Sequence, residues 1–165
     1  MIRPLMMMVT VLALLLVPGC GTRPIAALDI RLLAPDIRPR DLAITSHLRL
    51  GETLVSADEI LGYRAETHCL RLTGDAWDRL QTLRVPVGGI PFAVCLDGQP
   101  VYAGALWTPI SSLSFDGAVI MLPSIEEGTI CVEMGYPGPG FATGEDPRGD
   151  VQILQALRSA GKLRE

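Results

Sequence analysis

The sequence predicts an α+β domain, a mainly antiparallel sheet with helices on one face. Three observations carry this expectation. Short apolar runs alternate with polar residues at strand spacing. Two such runs flank Asp97-Gly98, and these residues tolerate the positive φ of a tight hairpin turn. Helix-start signals stand at Ser56, Thr73 and Asp150, each followed by apolar residues at helical spacing. Strands and helices mixed in this order, with no internal repeat, describe a two-layer sandwich.

The elements follow along the chain. Leu28 to Leu33 alternates and predicts a strand, and Pro35 and Pro39 then make a loop. Leu42 to Leu50 is a second alternating run, with Leu48 and Leu50 on one side. Ser56-Ala57-Asp58-Glu59 is a capping box, predicting a helix of one to two turns that stops at Gly62. Arg64 to Leu72 reads as a strand, with Leu70 and Leu72 inward and Arg71 outward. Thr73-Gly74-Asp75 caps a helix over Ala76 to Arg84, in which Trp77 and Leu80 recur at helical spacing and Trp77 reads as a core anchor. Ile90 to Leu96 and Gln99 to Leu106 form the hairpin. Ala118 to Leu122 and Thr129 to Met134 are further strands. Residues 135 to 149, rich in Gly and Pro, read as a mobile loop. Asp150 caps a last helix, Val151 to Ala160, with Ile153, Leu154 and Leu157 on one stripe and Gly161 as its stop.

The first nineteen residues read as an address. Arg3 supplies a positive start, and Leu5 to Val17 is a 13-residue apolar run broken by Thr10. That is too short for a membrane span, which needs roughly 20 apolar residues, and has the length of a signal-peptide core. Val17-Pro18-Gly19-Cys20 resembles the lipobox of bacterial lipoproteins. The resemblance implies cleavage before Cys20 and a lipid on its thiol, so that the protein is anchored to a membrane through Cys20. Residues 21 to 27 then read as a tether. Gly21 is not the aspartate that favours inner-membrane retention in enteric bacteria, which favours the outer membrane. Segments 1–19, 20–41 and 42–165 are accordingly read as signal peptide, lipidated tether with a leading strand, and globular domain.

The chain has 165 residues, 48% of them hydrophobic and 19% charged, which excludes a disordered chain. Losing Arg3 with the leader leaves 13 basic against 18 acidic residues. That balance lacks the footprint of a nucleic-acid binder, so no nucleic-acid partner is expected. With Cys20 lipidated, Cys69, Cys95 and Cys131 remain, and at most one disulfide can form among them. All three lie in apolar runs, which favours buried free thiols, and the pairing stays open. No Cys/His spacing suits a metal.

Catalytic motifs are sparse. There is no Gly-x-Ser-x-Gly, no His-Glu-x-x-His and no phosphate loop. The two histidines are His47 and His68. His68 adjoins Cys69, but neighbours on a strand point to opposite faces. Glu126-Glu127 and Glu145-Asp146 read as solvated loop pairs, and Arg148-Gly149-Asp150 reads as a helix cap. No cofactor, metal or small-molecule ligand is implied.

Four phrases resemble the head of the first periplasmic domain of the SecD/SecF export subunits. They are Val55 to Ile60, Cys69 to Leu80, Pro91 to Tyr102 and Ile153 to Leu163, in that family's order. The cover is residues 48 to 163, with about 123–149 as an added loop insertion. The resemblance implies that head's fold, or a ferredoxin-like relative, and a habit of binding polypeptide in the periplasm. The family's transmembrane helices and membrane charges have no counterpart here. The expectation is a non-enzymatic cell-envelope lipoprotein, facing the periplasm and binding a protein partner or exported polypeptide. Its contact surfaces would be a sheet edge and the loop from Tyr136 to Phe141. The alternative is a small periplasmic hydrolase or thiol enzyme using His68 and a cysteine.

Overall fold

A computed structural model describes residues 26–44 and 47–164. Cys20, the leader and most of the tether lie outside the described residues. Among these, nine strands form one sheet: β1 Leu28–Leu33, β2 Leu50–Val55, β3 Ile60–Arg64, β4 Cys69–Leu72, β5 Ile90–Leu96, β6 Gln99–Trp107, β7 Phe115–Met121, β8 Thr129–Tyr136 and β9 Leu163–Arg164. Two α-helices accompany them, α1 Gly74–Thr82 and α2 Val151–Ser159. The strand order is β2-β1-β5-β6-β7-β8-β4-β3-β9. Only β6–β7 and β3–β9 are parallel. The fold is α+β, as the residue pattern predicts.

Alternation explains which face each strand buries. Ile30, Phe92, Val94, Ile120, Val132, Leu70 and Leu72 point to one side and join a single core. Both helices cover that side, α1 through Ala76 and Leu80, α2 through Ile153, Ala156 and Leu157, and Trp77 packs at its margin. The helices therefore lie on one face. Their starts are built as expected. The Ala76 N–H donates to the Thr73 hydroxyl at 3.4 Å, and Asp150 accepts from Gln152 N–H at 2.8 Å. Asp97 (φ 49°) and Gly98 (φ 72°) close the β5–β6 hairpin as a type I′ turn.

The reverse face is covered too. Strand β5 is buried on both sides, since Ala93 and Cys95 face away from the helices. Leu42, Leu48 and Leu50 pack against them. The run Leu42 to Leu50 is thus not one strand. Pro39–Ile44 is a 3-10 turn started by proline, with Arg38 Nε donating to Asp41 at 2.7 Å, and pairing resumes at Leu50.

Two further boundaries differ from expectation. The capping box forms, with Ser56 N–H donating to Glu59 Oε2 at 2.9 Å, but helical turn lasts only over Ala57–Glu59. Ile60 is already extended (φ −85°, ψ 113°), because Ile60 and Tyr63 enter the core from a strand and Gly62 lies within it. The run Arg64 to Leu72 breaks into two strands at a turn, where His68 takes φ 53°. Residues 123–149 are no appendage either. Their β8 joins the two halves of the sheet, bonding to β7 on one side and β4 on the other.

Strands β6 and β7 are joined by residues 108–114 alone, although they run parallel, with Gly104 level with Ala118. A parallel pair usually needs a crossover of about a dozen residues or more. Here the chain turns straight back across the reverse face. Gly104 permits the close approach: a Cβ there would sit 2.4 Å from the Ala118 carbonyl oxygen. This return shapes the groove described next.

Candidate functional site

On the reverse face, Trp107 at the end of β6 stacks on Phe115 at the start of β7, with ring centroids 5.4 Å apart. Tyr136 of β8 tilts against the same indole at 5.9 Å. Gly89, in a positive-φ turn, brings its backbone under the indole edge, and a Cβ there would meet Trp107 Cε3 at 2.5 Å. The Ser111 hydroxyl donates to the Val87 carbonyl at 2.6 Å and ties the 108–114 connection to that turn.

These parts wall an apolar groove of about 860 Å³, within the ~300–1,000 Å³ of small-molecule sites. Buried Trp107 and Phe115 form its depth with Ile37 and Ile90, while Leu113 and Phe141 stand half-exposed at its mouth. Arg38 and Arg40 lie on one rim and Asp116 on another. Asp116 accepts from the Thr143 hydroxyl at 2.9 Å. Val87 and Ile110, also exposed, sit on the two tied loops. Four of the exposed large apolar side chains thus gather on the segments around this groove.

Of the two residues expected to bind a partner, the structure places Phe141 at the groove mouth. Tyr136 is different. It ends β8 rather than opening a loop, is half-buried, and its hydroxyl lies 3.2 and 3.1 Å from the carbonyls of Pro109 and Ser111, with one hydrogen to donate to one of them. It braces the wall from behind. The groove's main residues, Trp107, Phe115 and Leu113, escaped the sequence reading. One signal was available: β6 and β7 carry apolar residues on both parities, as strands buried on both faces do.

The cysteine expectation is corrected. Cys69 and Cys131 are not free thiols. They form a disulfide between β4 and β8, where the register sets them opposite each other. Cys95 is the free cysteine among the described residues, and burial pushes its thiol up to about 11. A thiol so protonated is a poor nucleophile.

Among the described residues, His68 is brought to no thiol, and the Asp146 carboxylate acts on it through space with no hydrogen bond between the two. Its Nδ1 lies 2.8 Å from the Tyr63 hydroxyl, which donates to the Arg148 carbonyl at 3.2 Å. A hydroxyl has one hydrogen, so in this arrangement Nδ1–H donates to Tyr63 Oη. Burial, then the Arg148 guanidinium, lowers the His68 pKa, while burial raises that of Tyr63 to about 12. Arg148 grips Asp146 and holds its carboxyl down at about 2, and it donates to the Val132 carbonyl at 2.9 Å. This cluster fastens the 146–149 turn to β3 and β8. His47 is exposed beside the undescribed residues.

Comparison of the chain with protein-family models, with curated proteins and with solved structures gives no match in any of the three.

Proposed function

We propose that this is a non-enzymatic, lipid-anchored protein of the cell envelope whose groove binds an apolar segment of a partner or exported polypeptide. The observation that carries the reading is the groove itself, with Leu113 and Phe141 half-exposed over the buried indole of Trp107. Contiguous exposed apolar surface of this kind marks an interaction site. The exposed cation Arg40 at its rim complements a segment flanked by acidic residues. Anchoring through Cys20 and a fold akin to the SecD/SecF periplasmic head are parts of the same proposal, resting on the residue phrases already given. No side chain pair within the described residues joins His68 to a thiol, which disfavours the enzymatic alternative.

The test uses the full chain in cells. A photo-crosslinking side chain at Leu113 or Phe141 captures a discrete polypeptide, while one at Val151, exposed on α2, does not. Leu113→Asp abolishes capture at Phe141. An apolar peptide with acidic ends then shifts Trp107 fluorescence in a Trp77→Phe background. Equal capture at Val151, or a peptide that leaves Trp107 unmoved, overturns the reading.

A further inference from the structure

At the far end of the sheet a second cleft opens on the helix-free face of β3, β4 and β9. Three arginines meet there, one from each strand. Arg64 of β3 is level with Arg164 of β9, and Arg71 of β4 is level with Gly62 of β3. Gly62 carries no side chain, so Arg164 folds over it, with Nε 3.6 Å from where a Cβ would stand. Cys69, one half of the β4–β8 disulfide, and Thr129 complete the wall of a cleft of about 290 Å³.

All three arginines are exposed, and none has a carboxylate at ion-pair distance among the described residues. Five other arginines, 31, 38, 49, 79 and 148, do have one. The chain carries 18 acidic side chains against 14 basic ones, so counter-charges are plentiful elsewhere. Like charges on adjacent strands destabilise a sheet. An arrangement that concentrates them without partners fits an anion supplied from outside. Glu126 is the carboxylate on the cleft, and it lines the rim without closing an ion pair.

We propose that this cleft binds a phosphoryl group. Guanidinium groups stay charged at every relevant pH and donate in a planar fork that matches phosphate oxygens. Three guanidinium-bearing side chains lining one small cleft suit a group with three or four acceptor oxygens better than a carboxylate with two. The site is independent of the apolar groove. The phosphoryl group comes either from a soluble phosphate compound or from the headgroup of an anionic phospholipid.

The test titrates the full chain with inorganic phosphate at constant ionic strength and follows arginine Nε–Hε resonances. The expected result is a saturable shift at Arg64, Arg71 and Arg164 but not at Arg49, which already pairs with Asp36. Arg71→Gln weakens binding by about tenfold or more, the loss of one charged hydrogen bond. Glu126→Gln removes the rim carboxylate and tightens it. No saturable shift, an equal shift at Arg49, or weaker binding in Glu126→Gln overturns the proposal. Nanodiscs of phosphatidylglycerol, set against phosphatidylcholine, separate the sources. The same three shifts on phosphatidylglycerol support the headgroup, and shifts with inorganic phosphate alone support a soluble compound.

Discussion

Cys69 of β4 lies directly opposite Cys131 of β8, with Cα atoms 4.0 Å apart and the two sulfurs bonded. The ladder explains the closeness. Val132 N–H donates to the His68 carbonyl and Leu72 N–H to the Gly128 carbonyl, so the cysteines occupy the intervening non-hydrogen-bonded pair, where Cα atoms approach most. The bond staples the β4-β3-β9 end of the sheet to the β8 strand that carries the rest.

Breaking that staple is expected to destabilise the domain. The bridge spans 62 residues, and loop entropy puts its contribution at about 4 kcal/mol as an upper figure. Urea unfolding of Cys69→Ala/Cys131→Ala should show a lower midpoint than the wild type. Thiol counting on the denatured, unreduced chain should find Cys69 and Cys131 unreactive. Free thiols at both positions would contradict the structure.

His68 makes stability depend on pH in a defined window. Its pKa is lower in the folded chain than the ordinary value of 6.5. Below that value the unfolded chain takes up a proton that the folded chain resists. The stability His68 contributes is therefore complete above about 6.5 and is lost as pH falls toward the folded pKa. Asp146 and Glu59, whose pKa values are lowered by Arg148 and by the Ser56 N–H respectively, lose their contributions only further down, in the carboxylate range. Unfolding midpoints at pH 7 and pH 5 should therefore separate more in the wild type than in His68→Asn. Asparagine tolerates the positive φ there and does not titrate. Equal separations would refute this account.

Two close approaches depend on glycines, Gly89 at the groove and Gly104 between β6 and β7. Gly89→Ala adds a Cβ 2.5 Å from the Trp107 ring at φ 74°, and Gly104→Ala adds one 2.4 Å from the Ala118 carbonyl oxygen and 2.7 Å from Phe92. Backbone and packed rings cannot yield that distance freely, so each change should cost about 1–3 kcal/mol. Gly74→Ala meets nothing within 4 Å and serves as control. Chemical denaturation ranks the three, and Trp107 emission should shift in Gly89→Ala alone.

Lipidation is tested at Cys20. Labelled palmitate should enter the wild type and not Cys20→Ser, which should also leave the membrane fraction. A secreted, unlabelled wild type would remove the anchoring proposal.

Local chemistry was legible in the residues. Asp97-Gly98, the Thr73 and Asp150 caps, and the parity of Leu70, Arg71 and Leu72 act within a few positions, so sequence alone determined the hairpin, both α-helices and the α+β class. Tertiary contacts decided the rest. Ser56 to Glu59 makes its capping box, yet the core demand of Ile60 and Tyr63 for a strand ends the turn after Glu59. Cys69 and Cys131 pair because β8 runs beside β4 across 62 residues of chain, a register no local pattern encodes. Trp107, Leu113 and Phe141 form one groove, and Arg64, Arg71 and Arg164 one cleft, only after distant strands meet. Local preferences act on neighbours, whereas a site made of separate strands exists only once their order and register are set.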